Sequence, residues 1–210
     1  MAYDLEEQEQ IAQLKAWWDK YGTLTLGLLS LALVVILGWQ GLNWYQNSQA
    51  SQARGYYEAL EKAASDPGPD SAVRVEAAMG TLQADFPKTD YAARAALVAS
   101  DALRAQGKLS LAQAPLLWLA SSDHASLVPV ARLRLAGLML DQGKFDEALS
   151  QLSSPPESFK ALFADRRGDV LAAQGKREEA LKAWQEAIAL LGPNNAMTNV
   201  VQLKIDVMGS

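Results

Sequence analysis

An all-α fold is predicted: one N-terminal transmembrane helix followed by a tetratricopeptide repeat-like solenoid of helical hairpins. Three observations predict it. No charged residue occurs between Lys20 and Arg54. The remainder is rich in alanine and leucine, with turn signals at helical spacing and no sustained period-two alternation. The tripeptide Gln-Gly-Lys recurs with its glycines at 107, 143 and 175, spacings of 36 and 32, close to the roughly 34-residue period of a helix-turn-helix array.

The uncharged stretch comes first. From Thr23 to Trp44 it holds 22 residues. That is roughly 33 Å of helix, enough to cross a hydrocarbon core of about 30 Å. Trp17, Trp18 and Tyr21 precede the apolar run, and Trp39, Trp44 and Tyr45 stand at or beyond its end. Aromatic rings prefer the headgroup zone, so paired belts are what a spanning helix needs. A cleaved signal peptide is the competing reading, because Ser48-Gln49-Ala50 offers small residues. The preceding segment is long and acidic, however, and that site lies too far beyond Leu37. An uncleaved anchor is expected. Lys15 and Lys20 lie closer to the span than Arg54 and Lys62 do, which points the N-terminus to the cytoplasm and the rest outward.

Within the span, Thr23, Gly27, Ser30, Gly38 and Gly41 fall on one side of a helical wheel, with leucines over the rest. Lipid gives helices no hydrophobic reason to associate, so close backbone approach over small residues matters. This side is therefore a candidate face for packing against another membrane helix.

The organisation expected is a cytoplasmic tail at 1–20, the transmembrane helix at 21–45, a helical extension at 46–93, repeats at 94–193 and a C-terminal capping helix at 194–210. Of 19 basic and 24 acidic residues, two and five precede the span, leaving a near balance of 17 and 19 after it. That leaves no cationic face for nucleic acid. There is no cysteine, hence no disulfide, no thiolate zinc site and no thiol nucleophile. The single histidine, His124, reads as a solvated loop residue. The sequence has no phosphate-binding glycine loop, no metal-spaced ligand cluster and no hydrolase elbow, so neither catalysis nor a cofactor is expected.

Aligning on the turn glycines defines the unit. The last copy reads Gly168, Leu171, Gly175, Ala180, Trp184, Ala187 and Pro193. The middle one reads Ala136, Met139, Gly143, Ala148 and Leu152, and the first Ser100, Leu103, Gly107, Ala112 and Leu116. Glycine permits positive φ at the turn, small residues let paired helices approach, and the large residue fills the gap. Pro155-Pro156 falls where the second helix of the middle copy should still run, so that helix is expected to be short.

Such repeats usually bind through the inner faces of their first helices. Those positions are Val130, Leu133, Gly137 and Leu140 in the middle copy. They are Leu162, Asp165, Asp169 and Ala172 in the last, and Arg94, Leu97, Asp101 and Arg104 in the first. A groove with an apolar centre and charged ends suits extended polypeptide. The middle stripe reads equally as core, packed under a neighbouring helix.

The order of several segments resembles the bacterial YfgM family. They are Leu5-Glu6-Glu7-Gln8-Glu9-Gln10 before Leu14-Lys15-Ala16-Trp17-Trp18, the span, Asp85-Phe86-Pro87-Lys88-Thr89-Asp90-Tyr91-Ala92, Ala131-Arg132-Leu133-Arg134-Leu135-Ala136, Gly143-Lys144-Phe145-Asp146-Glu147-Ala148-Leu149, Arg167-Gly168-Asp169 and Leu203-Lys204-Ile205-Asp206. The resemblance implies an ancillary Sec translocon subunit of the bacterial inner membrane. It implies a periplasmic repeat domain that works with translocon subunits and a membrane-anchored chaperone or peptidyl-prolyl isomerase on exported polypeptides. It also implies restraint of an envelope-stress response regulator, and the alternative reading of the chain is a membrane-anchored scaffold or negative regulator of such a response.

Overall fold

Why the chain is helical almost throughout follows from its turn chemistry. The computed structural model describes residues 2–66 and 68–209, with the side chains of residues 2–6 and Gln8 excepted. Of the tail signature, the side chains of Leu5, Glu6 and Gln8 lie outside those described, as does Pro67. Among the described residues there are nine α-helices, one 3-10 turn and no strand. The chain divides into two compact units, residues 1–49 and 50–210.

The first unit is part of α1 (Ala2–Ser65). Its leucines, valines and isoleucine from Leu24 to Leu37 are exposed, as a lipid-facing helix requires. It is the one helix among the described residues long and apolar enough to cross a membrane. Trp17 packs near Trp18 and Tyr21, with ring centroids 6.3 and 5.9 Å apart. Lys20 lies 5.3 Å above the Tyr21 ring.

The second unit begins with the end of α1, where Ala53, Leu60 and Ala63 turn one face inward. Six helices then alternate as hairpin arms: α2 (Ser71–Asp85), α3 (Asp90–Ala105), α4 (Leu109–Ala120), α5 (Val128–Asp141), α6 (Phe145–Gln151) and, after a 3-10 turn at Glu157–Phe159, α7 (Lys160–Ala173). The last two are α8 (Arg177–Leu191) and α9 (Ala196–Gly209). Ser71 donates from Oγ to the Ala63 carbonyl at 2.7 Å and accepts from Gln106 Nε2 at 3.1 Å. One buried hydroxyl thus ties α1, α2 and the end of α3 together. Thr89 caps α3, its Oγ1 accepting from Ala92 N at 3.3 Å.

The three Gln-Gly-Lys turns are built alike. Gly107, Gly143 and Gly175 have φ of 72, 71 and 77°, a conformation that side chains disfavour. The following lysine N–H reaches back to the carbonyl of Leu103, Met139 or Leu171, each at 2.9 Å. That is a Schellman closure, which satisfies carbonyls the helix end would otherwise leave orphaned. Behind each turn the aligned small residues Ala112, Ala148 and Ala180 are fully buried. α6 has seven residues, ending well before Pro155 and Pro156.

Two apolar clusters result. One runs continuously from Ala53 to Val170, and the other gathers Ala164, Leu171, Ala180, Trp184, Ala187 and Val201 around the last hairpin and α9. Leu149 touches both.

Candidate functional site

The inner positions of the first helices lie on α3, α5 and α7. On α5, Val130, Leu133, Gly137 and Leu140 are half-buried. Leu133 and Leu140 pack their inner sides on the main core, so the stripe is a partly exposed wall rather than either a free surface or a sealed interior.

Charged groups flank it. On α3, Arg94, Asp101 and Arg104 are exposed and Leu97 half-buried. Arg134 of α5 donates to Asp101 at 2.5 Å and to the Leu97 carbonyl at 3.4 Å. Arg104 donates to Asp141 at 2.6 Å. These pairs are exposed and worth about 0–1 kcal/mol each; they fix the rotation of α5 on α3 more than they stabilise it.

On α7 the arrangement differs. Asp165 is 8% exposed and Asp169 half-buried, both beneath α9. Lys204 of α9 donates to Asp165 Oδ1 and Asp169 Oδ1, each at 2.7 Å. Trp184 Nε1 donates to the Asp165 carbonyl and to Asp169 Oδ1, both at 3.2 Å. The two aspartates therefore hold α9 and the indole in place, while Leu162 and Ala172 stay half-buried beside them. Gly168 is the reason Trp184 fits: a Cβ there would lie 2.4 Å from the indole.

Away from this face, the shortness of α6 leaves an open cleft of about 450 Å³ against α8, lined by Leu149, Leu152, Arg167, Leu171 and Lys182 among others. His124 is not simply solvated: its Nε2 lies 2.9 Å from the Pro87 carbonyl and its ring 6.2 Å from Trp118, so it ties the 121–127 loop to the turn before α3. In the first unit Thr23, Gly27, Ser30, Gly38 and Gly41 are all exposed, and a Cβ at any of the three glycines would meet nothing within 4 Å. Among the described residues no cluster of three or more His, Asp or Glu could hold a metal ion.

Residues 15–210 match the tetratricopeptide repeat-like domain family. A Neisseria gonorrhoeae protein named "Ancillary SecYEG translocon subunit" is 33% identical over 98% of this chain and 99% of its own length. Proteins of the same name from Haemophilus influenzae and Escherichia coli K12 are 30% and 28% identical, covering 89% and 95% of this chain and 91% and 95% of theirs. The chain belongs to this family, YfgM. Its members carry a repeat domain of the protein-interaction kind. The YfgM segments Ala131–Ala136, Arg167-Gly168-Asp169 and Leu203–Asp206 contain Arg134, Asp169 and Lys204, which pair across neighbouring helices, and Gly168, which seats Trp184.

Arg134 and Arg166 were not among the predicted site residues. A signal existed for both: each stands nine residues before its turn glycine. Trp184 and Lys204 as pins on Asp165 and Asp169 had no local signal, since Lys204 is 35 or more residues away in sequence.

Proposed function

We propose that this chain is a non-enzymatic, single-pass inner-membrane subunit ancillary to the SecYEG translocon, linking it to chaperones for exported proteins. The observation that carries the reading is the end-to-end match, span included, to relatives of that name. The aromatic belts and exposed apolar surface of α1 support residues 21–45 as the anchor, with 1–20 in the cytoplasm as the tail. Residues 46–93 form the extension, 94–193 the repeats and 194–210 the cap, all in the periplasm. The half-buried wall of Val130, Leu133, Gly137 and Leu140 takes exported polypeptide or a membrane-anchored chaperone or peptidyl-prolyl isomerase. The Thr23, Gly27, Ser30, Gly38, Gly41 side of the span packs against a translocon helix.

The test is co-purification in mild detergent. A Cβ at Gly27 or Gly38 meets nothing within 4 Å, so Gly27→Leu with Gly38→Leu is expected to insert and fold as the wild type does. Loss of SecYEG from its eluate, with retention by Leu29→Ile plus Ile36→Leu on the other side, is the expected result. If the wild-type chain brings down no SecYEG, the translocon reading fails; if the glycine variant still does, only the span contact fails.

A further inference from the structure

The first helices of the repeats are joined by a ladder with one rung missing. Asp101, Gly137 and Asp169 each stand six residues before their turn glycine. Each faces a basic residue of the next first helix. Arg134 donates to Asp101, and Lys204 donates to Asp169. Arg166 carries the same register as Arg134, nine residues before its turn glycine, and it lies against Gly137: a Cβ there would meet its Nη1 at 3.7 Å and Cζ at 3.8 Å. α9 thus completes the series as a fourth first-type helix, with Lys204 standing where arginine stands before.

The missing acid leaves Arg166 unlike its equivalents. Its guanidinium meets Asp169 Oδ2 only at 3.5 Å. That carboxylate already accepts from Lys204 at 2.7 Å and from the Trp184 indole at 3.2 Å. Among the described residues Arg166 makes no hydrogen bond, and its side chain is 39% exposed. Beside it Leu133 and Leu140 stand four residues before and three after Gly137 on the same side of α5, while the charged neighbours on that side, Arg134 and Asp141, are already paired with Asp101 and Arg104. A half-exposed cation with five donors, beside two leucines and holding only a long contact to the Asp169 Oδ2 at 3.5 Å, has donors to spare for a further carboxylate.

We propose that Arg166 reads an acidic side chain on a bound apolar polypeptide segment, which supplies the absent rung from outside. The inference rests on the reading of the α5 wall as a polypeptide-binding face. It names the chemistry of the segment: aliphatic residues against Leu133 and Leu140, with a glutamate or aspartate between them over Gly137.

The test uses the full chain in nanodiscs and a short fluorescein-labelled peptide of leucine, alanine and serine with one central glutamate, beside its glutamine twin, read by fluorescence anisotropy. The wild type should prefer the glutamate peptide by roughly tenfold, and the preference should shrink in high salt. Gly137→Asp restores the rung from inside; its Cβ meets Arg166 at ordinary contact distance, so helicity and melting temperature hold while the preference disappears. Arg166→Gln should abolish the preference independently, and Gly137→Ala should keep it. Equal binding of the twins to the wild type, or a preference that survives Gly137→Asp and Arg166→Gln, overturns the inference and leaves the wall as a binding face. If neither peptide binds the wild type, the binding-face reading falls, and the inference with it.

Discussion

The middle and last hairpins share one register and end differently. In the last, Gly168 lets Trp184 lie on the backbone of α7, α8 runs for 15 residues, and α9 locks over both through Lys204. In the middle, Ala136 and Leu152 hold the same positions, α6 stops after seven residues, and Gly137 leaves Arg166 without its rung. The last hairpin closes on itself with its own small core. The middle one leans on its neighbours and keeps an apolar wall half exposed. The wall proposed to bind lies where the repeat departs from its own pattern, and the self-contained core lies where it adheres to it.

The largest effect expected from this contrast is in the gap-filling residue. Trp184→Ala removes a buried indole and should cost about 3–5 kcal/mol, more than Leu152→Ala at the equivalent position, for which the range is about 2–5 kcal/mol. Denaturant unfolding of the full chain in detergent measures both. Equal costs would mean that the two hairpins are equally self-contained, and the contrast would fail.

Next is the rung itself. Lys204→Met leaves Asp165, 8% exposed, without its cation and should cost about 2 kcal/mol. Arg134→Met loses an exposed carboxylate partner, Asp101, and a long contact to the Leu97 carbonyl, and should cost less, about 1 kcal/mol. A Lys204→Met chain as stable as the wild type would show that α9 is held by Val201 and its apolar neighbours alone.

Much of this was legible beforehand. Glycine in a Gln-Gly-Lys tripeptide has one economical use at a helix end, so the hairpin turns and their period follow from three short motifs. Two consecutive prolines cannot continue a helix, so the brevity of α6 is also readable. The wall on α5 was readable only as two alternatives, because periodicity reports which residues share a side and not how far a neighbouring helix covers it. Asp165 and Asp169 were read as the charged end of the groove; the structure puts them under α9, through a contact spanning more than 30 residues that no local pattern encodes. His124 was read as solvated because its partner, the Pro87 carbonyl, is a backbone group without a sequence signature.

The smallest effect is at the first pair of helices, away from both compared hairpins. Burial, with the hydrogen bond that the phenol donates to the Glu61 carboxylate second, raises the Tyr57 phenol above its ordinary value, and its ring lies 5.6 Å from Tyr91. A group whose folded value is raised contributes stability below its unfolded value of about 10 and loses it as pH rises through the higher folded one. Unfolding curves from about pH 8 to pH 11 should show a small loss that Tyr57→Phe flattens. If the wild type and Tyr57→Phe fall in parallel, the phenol is not held against α3 in solution as its burial requires.

The central claim is that the α5 wall, and not the outer side of the domain, takes polypeptide. Site-specific photo-crosslinking in native membranes tests it directly, with the crosslinker placed at Leu133 or Leu140 and, for comparison, at the exposed Val73 of α2. The account predicts adducts with translocon-associated or exported proteins from 133 and 140 and none from 73. Adducts from 73 alone, with the wall silent, would contradict it.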